Sequence, residues 1–78
     1  MMSETIWMKT FGNNLIYFMQ QTGMTQEQLA MATGLTQASI SRYAAGIQMP
    51  GVRAIVNIAN VLGVTTDDLI DFGDMIEQ

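Results

Sequence analysis

Met24-Thr-Gln-Glu-Gln-Leu-Ala-Met-Ala-Thr-Gly34-Leu-Thr-Gln-Ala-Ser-Ile-Ser-Arg-Tyr43 holds the densest set of local signals in the chain. Thr25 and Gln28 have the Thr-x-x-Gln spacing of a capping box, in which each side chain satisfies a free amide at a helix start. Leu29, Ala30 and Ala32 follow, and Gly34 closes a helix of ten residues counted from cap to glycine. Thr36 is a good N-cap for a second helix. Ile40 and Tyr43 lie three apart on one face of it, and Gly46 ends it.

Two short helices thus meet at a tight Gly34-Leu35 turn. Each residue type has a steric reason. A close helix crossing needs a small side chain, which Ala30 supplies, and the turn calls for the positive φ that glycine adopts freely. Ile40 and Tyr43 anchor the second helix to a core. Gln37, Ala38, Ser41 and Arg42 then point the other way. This is a helix-turn-helix arrangement, whose second helix can enter a DNA major groove.

Outward from this pair the pattern stays helical. Phe11, Leu15 and Phe18 recur at i, i+4 and i+7, predicting a helix over 10–22 that Gly23 stops. Met49-Pro50-Gly51 breaks the chain before a helix over 51–62. Its polar residues Arg53, Asn57 and Asn60 form one narrow stripe, so burial over most of its circumference is expected. After Gly63, Thr65 caps a short fifth helix with Asp67 and Asp68 in its first turn, where the helix dipole favours anions. Leu69, Ile70 and Phe72 supply its apolar side. No period-two alternation of useful length occurs. The expected fold class is all-α, with five short helices. The expected organisation is an N-terminal extension over 1–9, one domain over 10–72 and a short acidic tail over 73–78.

Composition excludes much of the remaining function space. Seventy-eight residues fit one domain. Apolar residues at 49% suffice for a core. Cys and His are both absent, which removes disulfides, thiolate or imidazole metal sites and histidine acid–base chemistry. With no carboxylate pair in an evident cleft either, the expectation is no enzyme, no cofactor and no metal. Asp68, Asp71 and Asp74, spaced by three, match no calcium loop and read as capping and solvation. The longest apolar run, 15–19, is far too short for a membrane span, so a cytoplasmic protein with no membrane partner is expected.

The net charge of −4 is unevenly placed. Residues 1–65 hold Lys9, Arg42 and Arg53 against Glu4 and Glu27, a net +1, and 66–78 hold the remaining five acids. The body is nearly neutral, so acidity does not by itself argue against a polyanionic partner.

The quoted stretch resembles the helix-turn-helix of phage Cro and CI repressors, the XRE-like family. The resemblance continues through Met49-Pro50 and Ile58-Ala-Asn-Val-Leu-Gly-Val-Thr-Thr-Asp-Asp-Leu69, covering about residues 11–72. It implies a five-helix, lambda-repressor-like domain with the helix-turn-helix at helices 2 and 3. It also implies a transcription regulator, a repressor of prophage type, that binds double-stranded operator DNA as a homodimer. By position, Gln37, Ala38, Ser41 and Arg42 match the base-facing side. Gln37 suits adenine N6/N7, Ala38 a thymine methyl, and Arg42 guanine O6/N7. Gln26, Thr36 and Arg53 match phosphate-contacting positions. Leu69, Ile70, Phe72, Met75 and Ile76 are the expected dimer interface, with Ile16, Tyr17 and Met19 a second surface.

The chain departs from the family pattern in three places. Ile47 and Gln48 stand where many members carry basic residues. Met19 and Ala44 replace an Arg–Glu pair, both partners going together, so an apolar contact can take the pair's place. Ile16 and Tyr17 make the first helix unusually apolar. These departures, with the acidic tail, point to an alternative: a protein-interaction module on the same fold, antirepressor-like, or the antitoxin of a toxin–antitoxin pair. Its protein partner would meet helix 1 or the tail. Trp7, outside the resemblance, is expected to pack on the body or on a second subunit.

Overall fold

The computed structural model describes residues 3–71. Five α-helices follow in order: α1 (Glu4–Thr22), α2 (Gln26–Thr33), α3 (Gln37–Ala45), α4 (Val52–Leu62) and α5 (Thr66–Ile70). The described residues contain no strand, in agreement with the all-α expectation.

Local chemistry sets the helix ends. Thr25 and Gln28 form the capping box, with the Gln28 amide donating to Thr25 Oγ1 at 3.1 Å and the Thr25 amide to Gln28 Oε1 at 2.9 Å. Thr65 and Asp68 form a second one on α5. Gly23, Gly34, Gly46 and Gly63 all take left-handed conformations and terminate α1 to α4.

α1 starts at Glu4, earlier than the apolar spacing from Phe11 indicated. Ser3 is its N-cap, accepting from the Ile6 amide at 3.2 Å. Trp7 lies one turn before Phe11 and is half-buried, so the stripe read from Phe11 onward begins with it.

One core serves all five helices. Phe11, Leu15, Leu29, Ile40, Ile58 and Leu69 are its largest fully buried side chains. Burying each contributes about 1.5–3 kcal/mol. α1 packs across α3 and α5, and α2 packs on α3 and α4. Met19 and Ala44 are both buried in this core, where neutral side chains need no ionic partner.

Two features escaped the sequence reading. An ideal β-carbon on Gly12 would lie 2.7 Å from the carbonyl oxygens of both Tyr43 and Ala44. α1 therefore meets the last turn of α3 backbone to backbone. Asn14 Nδ2 donates to the carbonyls of Leu69 at 2.9 Å and Asp71 at 3.1 Å, fastening the end of α5 to α1.

α4 is less buried than its polar stripe suggested. Ala54, Ile58, Ala59 and Leu62 are buried, but Val52 is 79% exposed and Val56 41%. α4 meets α2, α5 and α1 along one side, and the valines one turn apart face away from that side. In so small a domain, an apolar composition does not guarantee a neighbour on every side.

Candidate nucleic-acid interface

The site is built from the turn upward. Gly34 has φ +77°, and nothing lies within 4 Å of where its β-carbon would be. Backbone conformation, not space, therefore selects glycine here. The amides of Gly34 and Leu35 both donate to the Ala30 carbonyl, at 3.0 and 3.1 Å. Thr33 Oγ1 donates to the Leu29 carbonyl at 2.8 Å and accepts from the Leu35 amide at 3.3 Å. The turn is thus tied on both sides, and the angle between α2 and α3 is set locally.

α3 presents two faces. Ile40, Tyr43 and Ala44 are buried, and the Tyr43 ring meets Phe11 edge-on, with centroids 6.3 Å apart. Tyr43 belongs to the core and not to a base-stacking surface. Each helical residue advances about 100° around the axis. Gln37, Ala38, Ser41 and Arg42 therefore share the side away from Ile40 and Tyr43, and all four are exposed. Nothing among the described residues covers them.

Arg42 is partly organised on this face. Its Nε donates to Gln48 Oε1, and its Nη2 reaches Ser39 Oγ at 3.5 Å. In the sequence Gln48 only marks a missing basic residue, because its pairing with Arg42 depends on how the chain folds back after Gly46.

The positions expected to meet phosphate are spread over three helix starts. Thr36 is exposed, but its hydroxyl accepts from the Ser39 amide and donates to Ser39 Oγ, each at 3.0 Å. Its first role is as the cap of α3. Gln26 is half-buried at the first position of α2, beside a groove lined by Ile16, Met19 and Met24. Arg53 is exposed in the first turn of α4, whose N-cap, Gly51, makes no side-chain capping bond.

The expected dimer residues divide. Leu69 has 0% exposure and belongs to the protomer's own core. It is thus not a surface contact: the fifth helix is so short that its central apolar residue is used up in docking to α1 and α4. Met19, at 7% exposure, is unavailable for the same reason. Ile70 is half-buried, while Ile16 and Tyr17 are 40% and 55% exposed. Phe72, Met75 and Ile76 lie outside the described residues. No group of three or more His, Cys, Asp or Glu suited to a metal occurs among the described residues, and none of their helices is long and apolar enough to cross a membrane.

A family model described as helix-turn-helix matches residues 15–69. The chain is 32% identical over 60 residues to the uncharacterized HTH-type transcriptional regulator YqaE of Bacillus subtilis, covering 77% of this chain and 52% of that one. It is 30% identical over 60 residues to YonR of the same organism, an SPbeta prophage-derived uncharacterized HTH-type transcriptional regulator, covering 77% and 56%. The chain spans about half the length of these curated relatives. In fold it is similar to the restriction-modification controller protein C.AhdI from Aeromonas hydrophila, with a TM-score of 0.76 and 24% identity over 80% of this chain and 94% of that one.

Proposed function

This chain belongs to the Cro/CI-type helix-turn-helix family of transcription regulators, which is not an enzyme class, and we propose that it is a sequence-specific repressor that lays α3 in the major groove as a homodimer. The observation that carries this reading is the uncovered face of Gln37, Ala38, Ser41 and Arg42, opposite the buried Ile40 and Tyr43. It holds one amide, one methyl, one hydroxyl and one guanidinium, a set that matches the groups on base edges.

Around it, Gln26, Thr36 and Arg53 fix the protein on the phosphates. A cation in the first turn of a helix opposes the helix dipole, so Arg53 gains nothing from α4 itself. An outside anion gives it a favourable partner. Two copies paired through Ile70 and the segment holding Phe72, Met75 and Ile76 would read half-sites about 34 Å apart. Repression follows where such a site overlaps a promoter in the cytoplasm.

A second reading has its own observation. Ile16 and Tyr17 are large apolar side chains exposed next to each other on α1. They favour a protein partner there, as in an antirepressor-like module or an antitoxin.

Selection from a random-sequence duplex pool at low salt, with sizing of the free protein, tests the first reading. The expected result is one enriched, roughly palindromic site and a dimeric protein. Failure to enrich any duplex would overturn it and leave the protein-partner reading.

A further inference from the structure

We infer that Gln48 is a positioning residue for base recognition: by accepting from Arg42 Nε it commits the guanidinium to end-on presentation and so decides how Arg42 reads its base. This rests on the proposed DNA-reading role of α3. A guanidinium has five N–H groups in a rigid plane and can form a two-bond fork in two ways. The side-on fork uses Nε with one terminal nitrogen. The end-on fork uses Nη1 and Nη2. Gln48 occupies Nε and thereby removes the first option. Ser39 Oγ, at 3.5 Å from Nη2, is at the limit of hydrogen-bond length and takes at most one terminal hydrogen. An end-on fork onto guanine O6/N7 needs one outward hydrogen on each of Nη1 and Nη2, and Ser39 leaves both when it takes the Nη2 hydrogen on the Nε side.

The pairing is more than a chance meeting of two mobile side chains. Gly46 turns the chain with φ +73°, and the Ile47 amide donates to the Arg42 carbonyl at 3.1 Å. Pro50 is buried two residues beyond Gln48. The backbone carrying Gln48 is therefore fastened at both ends to the body that holds Arg42. Gln48 itself is half-buried, whereas Arg42 is exposed. The half-buried side chain holds the exposed one, lowering the ordering cost of binding.

The test uses the full chain. The preferred duplex is selected with the wild type. Affinities are then measured for that duplex and for each single base-pair substitution, with wild type, Gln48→Ala, Gln48→Glu, Arg42→Ala and the double variant. At the base pair whose preference Arg42→Ala abolishes, Gln48→Ala should reduce the preference roughly tenfold while leaving the others within about twofold. Gln48→Glu, which keeps an acceptor for Nε, should retain that preference while binding every duplex more weakly. Adding Gln48→Ala to Arg42→Ala should cost no further affinity for the selected duplex, an outcome that a merely structural role would not produce. Unchanged preferences in Gln48→Ala, or an equal loss with and without Arg42, would overturn the inference alone. Failure of the wild type to select any duplex would overturn the DNA-reading role and this inference with it.

Discussion

Gly12 and Ala44 sit so close that a β-carbon on the glycine would come within 2.7 Å of the Ala44 carbonyl oxygen. The scaffold helix and the last turn of the exposed helix therefore touch through their backbones. Gly12→Ala should destabilise the domain despite alanine's better helix propensity. The propensity gain is about 1 kcal/mol. Intrusion on two backbone carbonyls, which cannot swing aside as a side chain can, costs about 2–3 kcal/mol. A net loss of about 1–2 kcal/mol is expected in urea unfolding followed by circular dichroism. A variant as stable as the wild type would show that the two helices are not so tightly apposed.

Asn14→Ala removes both donors to the carbonyls of Leu69 and Asp71. The Leu69 bond is partly shielded, so a loss of about 1–2 kcal/mol is expected. Amide exchange should accelerate first in α5, with α2 and α3 least affected. Equal acceleration throughout would mean that Asn14 supports the whole core and not this one joint.

Arg42→Ala should weaken binding to the selected duplex by about 1–3 kcal/mol and relax the preference at one base pair per half-site. Because Arg42 is exposed, thermal stability should move little. A uniform weakening on all duplexes would instead make Arg42 a phosphate contact.

Arg53→Ala should do what Arg42→Ala does not. It should weaken binding about equally on every sequence and lower the salt dependence. With Arg53 the phosphate-contacting cation of each protomer, a dimer's log–log salt slope should be shallow, roughly −2. Losing Arg53 from both protomers should reduce its magnitude by about 2. A slope near −10 would mean that other groups carry the phosphate contacts.

The helices of the core motif were legible because their signals are local. Thr25 with Gln28, Gly34, Thr36 and Gly46 act on neighbours within four residues, so composition and spacing reveal them. The exposed side of α3 is legible by subtraction, because Ile40 and Tyr43 anchor the opposite side. Other features depend on neighbours distant in sequence. Gly12 reads only as a poor helix residue until α3 is seen against it. Asn14 reads as a solvated amide until the end of α5 is beside it. Val52 and Val56 look like core because apolarity alone does not say which side of a helix has a neighbour. Leu69 lies on the apolar side of α5, and spacing alone does not say whether that side meets the protomer's own core or a second copy. Gln48 matters through its place beside Arg42, which its own chemistry does not announce.

The Asn14–Leu69 bond joins residues 55 positions apart. Docking α5 before α1 meets α3 and α4 would close that whole loop, at about 3–4 kcal/mol in chain entropy, whereas afterwards only the short α4–α5 connection is left to order. A five-residue helix has no independent stability to contribute beforehand. α5 should therefore dock late in folding, onto an α1 already in place, and detach early in unfolding. On the proposed pairing through Ile70, the surface that recruits a second copy does not exist until that last step. Newly made chains could then associate only after they had folded, which keeps half-made ones from pairing.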